Sequence, residues 1–174
     1  MQLYYIGLQL PEDIRNRISA AQHELADGSL FLAPLEPHIT LLPPQALKTS
    51  DSDHISAAVK EIADSMVPFT ITLQHIERYK QQAVAIKVQS EVIYRLQKKL
   101  TKLLPQDTEP LYYPDPVFSP HVTLVQSKRG QKVPAAYEDE YVKRLHDSLP
   151  YECQIHHLTL FRSTGPRQYE AVVI

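Results

Sequence analysis

The chain has 174 residues, 43% of them apolar and 22% charged, with a formal net charge of −2. One globular domain with a substantial core is the expectation, and the near-neutral charge argues against tight, sequence-independent binding to long nucleic acid, so DNA is not an expected partner. No window approaches the roughly 18 apolar residues of a membrane span, the opening Met1-Gln2-Leu3 lacks a signal-like basic start, and the lone Cys153 offers neither a disulfide nor a zinc cluster, so a cytoplasmic protein without membrane attachment is expected.

Leu3 to Leu10 reads as a buried strand, and Pro11 with Glu12 and Asp13 opens a helix carrying Ile14, Ile18, Ala21 and Leu25 on one face, with Gly28 as its stop. A Pro-rich loop leads to a strand around His38. Ser50 or Asp51 caps a second helix with the stripe Ile55, Val59, Ile62 and Met66, and Phe69 to Tyr79 alternates as a half-buried strand. The order then begins again. Ala83 to Val88 is a strand, Ser90 caps a helix with Ile93, Leu96, Leu100 and Leu103, and a Pro- and Tyr-rich loop (Pro105 to Pro116) leads to a strand around His121. Pro134 opens a fourth helix with Tyr137, Tyr141 and Leu145 on one side. Tyr151 to Arg162 and Tyr169 to Ile174 are expected as closing strands around Gly165-Pro166.

Strand, helix, strand, helix, strand, run through twice, predicts an α+β fold: a single bilobal domain (1–174) of two pseudo-symmetric lobes, approximately 1–82 and 83–174. Each lobe would be an antiparallel sheet with flanking helices, and a cleft would lie between them.

The third element of each round carries the same phrase, Pro37-His38-Ile39-Thr40-Leu41 and Pro120-His121-Val122-Thr123-Leu124. Strand alternation sends Ile39, Leu41, Val122 and Leu124 to the core and leaves His38, Thr40, His121 and Thr123 on the other face. An imidazole and a hydroxyl two residues apart are separated by about 6.6 Å of strand, which suits different atoms of one phosphate. Hydrolysis of a cyclic phosphodiester needs a base for water and an acid for the departing ribose oxygen. Two histidines with an ordinary pKa near 6.5 can supply both near neutral pH, and threonine hydroxyls can bind the non-bridging oxygens. No metal and no cofactor is required. Retained packing after duplication accounts for the Ile/Val and Leu positions, but poorly for the repeated His and Thr on the non-core face.

These residues resemble the two-histidine (2H) phosphoesterase superfamily, which includes 2′-5′ RNA ligase-like and cyclic phosphodiesterase proteins. Leu3-Tyr4-Tyr5-Ile6 with Leu10-Pro11, Phe118 to Leu124, and Leu158 to Ser163 followed by Tyr169 are similar to its first strand, second motif and closing hairpin. The resemblance implies metal-independent opening or formation of phosphodiesters involving a ribose 2′ oxygen. It makes His38 and His121 the acid-base pair, with Thr40 and Thr123 binding the phosphate and the assignment of acid and base left open. Many relatives that act on RNA have an arginine soon after the second motif. Here Val125 and Gln126 follow, with Lys128 and Arg129 as the nearest cations, and Gln126 and Lys128 are the candidate substrate contacts. Leu42-Pro43-Pro44 stands where ligase-like members carry an aromatic-glycine ending.

The expected partner is a small nucleotide or cyclic phosphate, with an RNA terminus as a further candidate. A nucleotide- or RNA-binding module that has lost its chemistry is the alternative, and RNA-end ligation would use the same groups in reverse. His23, His54, His75 and His146 read as ordinary surface or satisfied histidines. His156 and His157, adjacent on an expected strand, should face opposite sides and make no metal site. Tyr112, Tyr113 and Phe118 either stack on a base or pack over the core.

Overall fold

A computed structural model describes residues 2–25, 28, 30–47, 49–104, 118–128, 131–165 and 167–172. The first round of elements is β1 (Gln2–Gln9), α1 (Glu12–Leu25), β2 (His38–Leu47), α2 (Thr49–Asp64) and β3 (Phe69–Tyr79). The second is β4 (Ala83–Gln89), α3 (Glu91–Thr101), β5 (His121–Gln126), α4 (Ala135–Leu145) and β6 (Tyr151–Ile155), and β7 (Leu158–Gly165) and β8 (Gln168–Val172) close the chain. The doubled order expected from sequence is present.

The helical stripes are buried as their spacing predicts. Ile14 and Ile18 of α1, Ile55, Val59 and Ile62 of α2, Ile93 and Leu100 of α3, and Tyr141 and Leu145 of α4 all lie in the core. Helix α1 begins one residue after Pro11, whose carbonyl accepts from Arg15 N at 3.0 Å. Helix α2 begins at Thr49, before the expected cap at Ser50 or Asp51. In β3 the buried positions run Ile71, Leu73, then Ile76, because a register shift between Leu73 and Ile76 flips the alternation. Lys80 and Gln81, at φ 51 and 58, form the left-handed pair of a type I′ turn from β3 to β4.

Tyr151 to Arg162 is not one strand. It breaks at His156-His157 into β6, which pairs with β3, and β7, which pairs with β1. Both histidines are exposed in that break, with ring centroids 6.1 Å apart. The last strand spans Gln168–Val172, so it starts before the expected Tyr169, and residues 173 and 174 lie outside the described residues.

The described strands form one antiparallel sheet in the order β6-β3-β4-β5-β2-β1-β7-β8. Within this antiparallel sheet the two halves of the sequence exchange strands. β3, from the first half, sits beside β4, and β7, from the second, sits beside β1. Helices cross over as well: α1 packs against β5 and α4, while α3 packs against β2. The Gln22 side chain of α1 is buried and donates to the Thr123 carbonyl at 3.1 Å, tying the first half to the second motif strand. Gln82 lies in the turn between β3 and β4. The cause of the exchange lies in the topology, since each βα unit leaves a sheet edge that a strand from the other half completes.

No helix among the described residues is long and apolar enough to cross a membrane.

Candidate active site

β2 and β5 meet at the centre of the sheet through one antiparallel pair, Ile39 opposite Val122. Both side chains are fully buried, as are Leu41 and Leu124, so the core face of the repeated phrase is as alternation predicts. Extending that register by one residue either way places His38 opposite Thr123 and Thr40 opposite His121. All four share the face opposite the core, and all four are half-buried. In regular pairing, diagonal neighbours such as the two histidines have positions about 7–8 Å apart, the scale of a phosphate held between two imidazoles. The single-pair junction is thus the point where the two motifs converge.

Flanking strands set the rest of this face. Gly7 of β1 pairs with Thr40, and Ala85 of β4 pairs with Thr123. A Cβ on Gly7 would sit 3.0 Å from the Ile39 carbonyl oxygen and 3.6 Å from Cδ2 of His38. Glycine here allows the close approach that seats the first histidine. At the start of β5, Val88 N donates to the Pro120 carbonyl at 3.0 Å, and Lys87 pairs with His121.

The two imidazoles are held in the same way. His38 Nδ1 donates to the Glu36 carbonyl at 2.7 Å, and His121 Nδ1 donates to the Ser119 carbonyl at 2.8 Å. Each acceptor lies two residues back, across the intervening Pro37 or Pro120. A carbonyl oxygen can only accept, so the neutral rings carry their proton on Nδ1 and expose the Nε2 lone pair. His38 Nε2 accepts from the Thr40 hydroxyl at 3.1 Å. Either Nε2 can therefore take or return a proton.

Their surroundings differ. His38 lies beside Tyr5 and Phe161, with ring centroids at 5.1 and 6.2 Å, whereas His121 stacks on Tyr79 at 4.3 Å. Burial holds the His38 imidazole below the ordinary histidine pKa. The Glu36 carbonyl bond opposes this shift, and the nearby charge of His121 adds to it.

Next to His38 opens a cavity of about 300 Å³. Its walls include Tyr5, Phe161, Tyr169, Gln9 and Arg167, and Tyr5 stacks on Phe161 at 4.4 Å and 8°. Thr40, His121 and Thr123 do not line it, so the cavity flanks one side of the four-residue cluster. Glu36, also at its wall, is paired with Arg15 at 3.2 Å.

The two further candidate contacts are placed elsewhere. Gln126 is exposed at the end of β5, and its Oε1 accepts from Arg167 Nη1 at 3.2 Å. Lys128 Nζ donates to the Gly28 carbonyl at 2.6 Å, and the residue is not part of the cavity wall. Tyr112, Tyr113 and Arg129 lie outside the described residues. Phe118 packs edge-on against Tyr94 at 5.5 Å and against the core. Cys153 is buried, and burial pushes its thiol up to about 11. Among the described residues no three His, Cys, Asp or Glu side chains gather as a metal-holding group.

Sequence reasoning missed Arg167. It sits in the β7–β8 turn at φ 56, a left-handed conformation that costs an L-residue roughly 1–2 kcal/mol. Its Nη2 donates to the Ala33 carbonyl at 3.1 Å. Nothing in its own spacing marks it, because its partners are 41 and 134 residues away in sequence. Tyr79 was likewise legible only as a strand residue.

A search of curated proteins returned no match. Among solved structures, TT0787 of Thermus thermophilus is similar with a TM-score of 0.72 at 20% identity, covering 99% of this chain and 96% of that one. LigT of E. coli, crystallised with 3′-AMP, gives 0.66 at 16% identity, covering 99% and 95%. LigT crystallised with ATP gives 0.61 at 16% identity, with the same coverage. At these identities the likeness is one of fold. The family model of the 2′-5′ RNA ligase superfamily matches residues 10–167, a span that takes in both His-x-Thr strands, and the chain belongs to that superfamily of 2H phosphoesterases.

Proposed function

We propose that the protein is a phosphoesterase that opens 2′,3′-cyclic nucleotides or related small cyclic phosphates by two-histidine acid-base catalysis. The observation that carries this reading is the mirrored pair of imidazoles. Each has Nδ1 tied to the carbonyl two residues back and Nε2 presented on the shared face of β2 and β5.

His38, disfavoured as a cation by its burial, starts neutral and takes a proton from the attacking water. His121 acts as the acid and gives a proton to the departing ribose oxygen. The new P–O bond forms to water, the ribose P–O bond breaks, and solvent exchange returns the proton from His38 to His121. Thr40 turns its hydroxyl from His38 Nε2 to a non-bridging oxygen, and Thr123 donates from the opposite strand. The chemistry of these four groups requires no metal. The aromatic cavity beside His38 suits the nucleoside part of the substrate, in line with the nucleotides that accompany LigT in its crystals.

Phosphorus NMR of 2′,3′-cyclic nucleotides incubated with the protein and EDTA tests the reading. The expected result is conversion to a phosphomonoester with a bell-shaped pH dependence. Binding of the same nucleotides without turnover would instead support a lapsed binding module. Joining of 2′,3′-cyclic and 5′-hydroxyl RNA ends would run the same groups in reverse.

A further inference from the structure

Arg167 is one of the residues that line the cavity beside His38, and the proposed hydrolysis does not use it. It is half-buried, on the same wall system as Tyr5 and Tyr169, whose rings meet edge to face at 4.8 Å. Among the partners of its guanidinium are two oxygens from distant segments. One is Gln126 Oε1 at the end of the second motif strand, and the other is the Ala33 carbonyl in the loop that enters the first. That loop is itself zipped to β5, with Leu32 N donating to the Gln126 carbonyl at 2.9 Å and Lys128 N to the Leu30 carbonyl at 3.1 Å. Arg167 therefore reports the position of both motif strands at once. It is kept in a left-handed turn that glycine would adopt more easily.

Five N–H donors in a planar fork let a guanidinium hold two protein oxygens and still grip a phosphate, and Arg is the residue suited to such bidentate contacts. The scissile phosphate belongs between the histidines and threonines. The cavity lined by Arg167 is bordered by His38 but not by His121, Thr40 or Thr123, so it flanks the place of the reacting phosphate.

We propose that Arg167 binds a second phosphate of the substrate. The substrate class is then a nucleotide with a 5′-phosphate in addition to its cyclic 2′,3′-phosphate, and Gln126 is the positioning residue for the guanidinium. This rests on the phosphoesterase reading above and narrows its substrate.

The experiment compares kcat/KM for adenosine 2′,3′-cyclic phosphate with and without a 5′-phosphate. Wild type should prefer the 5′-phosphorylated form by about tenfold or more, mainly through KM, as expected for charge-assisted bonds to arginine. Arg167→Met should erase the preference, with the loss falling far more on the 5′-phosphorylated substrate than on the unphosphorylated one. Gln126→Met should reduce the preference without abolishing it. Equal losses on both substrates in Arg167→Met, or no preference in wild type, would overturn the proposal. Calorimetry of adenosine 3′,5′-bisphosphate against 3′-AMP gives the same ratio without turnover. If wild type cleaves neither substrate, the phosphoesterase reading fails. The second-phosphate site then stands or falls on whether the binding ratio is tenfold in wild type and close to one in Arg167→Met.

Discussion

Replacing Gly7 by alanine perturbs the site without changing any of its polar side chains. The added Cβ would meet the Ile39 carbonyl oxygen at 3.0 Å, Tyr5 Cε2 at 3.5 Å and His38 Cδ2 at 3.6 Å. The nearest of these is backbone and cannot swing aside, so β2 must retreat by a few tenths of an ångström. Ile39 sits between His38 and Thr40, and the retreat carries both. Overpacking of this kind costs about 1–3 kcal/mol, offset by about 0.4–1 kcal/mol from the lower entropy of the unfolded alanine chain. At about 2–4 °C per kcal/mol for a chain of this size, the midpoint of thermal unfolding should fall by up to about 10 °C. A misplacement of 1 Å costs about 100-fold in rate, so a few tenths should lower kcat about three- to tenfold. Steady-state hydrolysis of a 2′,3′-cyclic nucleotide with a parallel thermal melt reads both effects. Gly28→Ala, whose new Cβ has nothing within 4 Å, is the matched control. If Gly7→Ala loses stability but keeps wild-type kcat, the close approach of β1 does not register His38, and the argument from Gly7 is wrong.

Other outcomes follow from the same geometry. The folded His38 pKa lies below its unfolded value of about 6.5, so the unfolded chain binds more protons between the two values. Stability should therefore fall as pH drops through about 6.5 and level off below the folded value; urea melts at pH 7.5, 6.5 and 5.5 should show a smaller loss for His38→Gln. Tyr79→Leu removes the ring stacked on His121 and should lower kcat/KM about two- to tenfold, while the acid limb governed by His38 stays in place. The Tyr141 hydroxyl is buried with no hydrogen-bond partner among the described residues. Tyr141→Phe should therefore match or exceed wild-type stability by about 1 kcal/mol in a denaturant melt, and a loss of that size would show that the hydroxyl is satisfied.

Local chemistry made much of this fold readable. Helical stripes such as Ile55/Val59/Ile62 and the Ile39/Leu41 and Val122/Leu124 alternation are properties of a few neighbouring residues, and they appear where their periods put them. The His and Thr positions followed from the same alternation. What could not be read is non-local. The exchange of β3 and β7 between the halves depends on which sheet edge each strand completes, and no residue in either strand encodes its neighbour. The break at His156-His157 interrupts an alternating polar and apolar segment without Gly or Pro, so the pattern reads as one strand. Arg167 is joined from its turn to a glutamine and a carbonyl of two other segments. The absence of an arginine after the second motif was visible from sequence, but the guanidinium bonded to Gln126 at the end of that strand was not.

The central claim is that His38 and His121 act as one acid-base pair. Measuring kcat/KM on a 2′,3′-cyclic nucleotide for His38→Ala, His121→Ala and the double variant tests it most directly. Loss of either partner should cost about 100-fold or more, and the double variant should be no worse than the poorer single one, because half a pair has no proton to hand on. A single variant that keeps wild-type activity, or losses that multiply as those of independent groups, would contradict it.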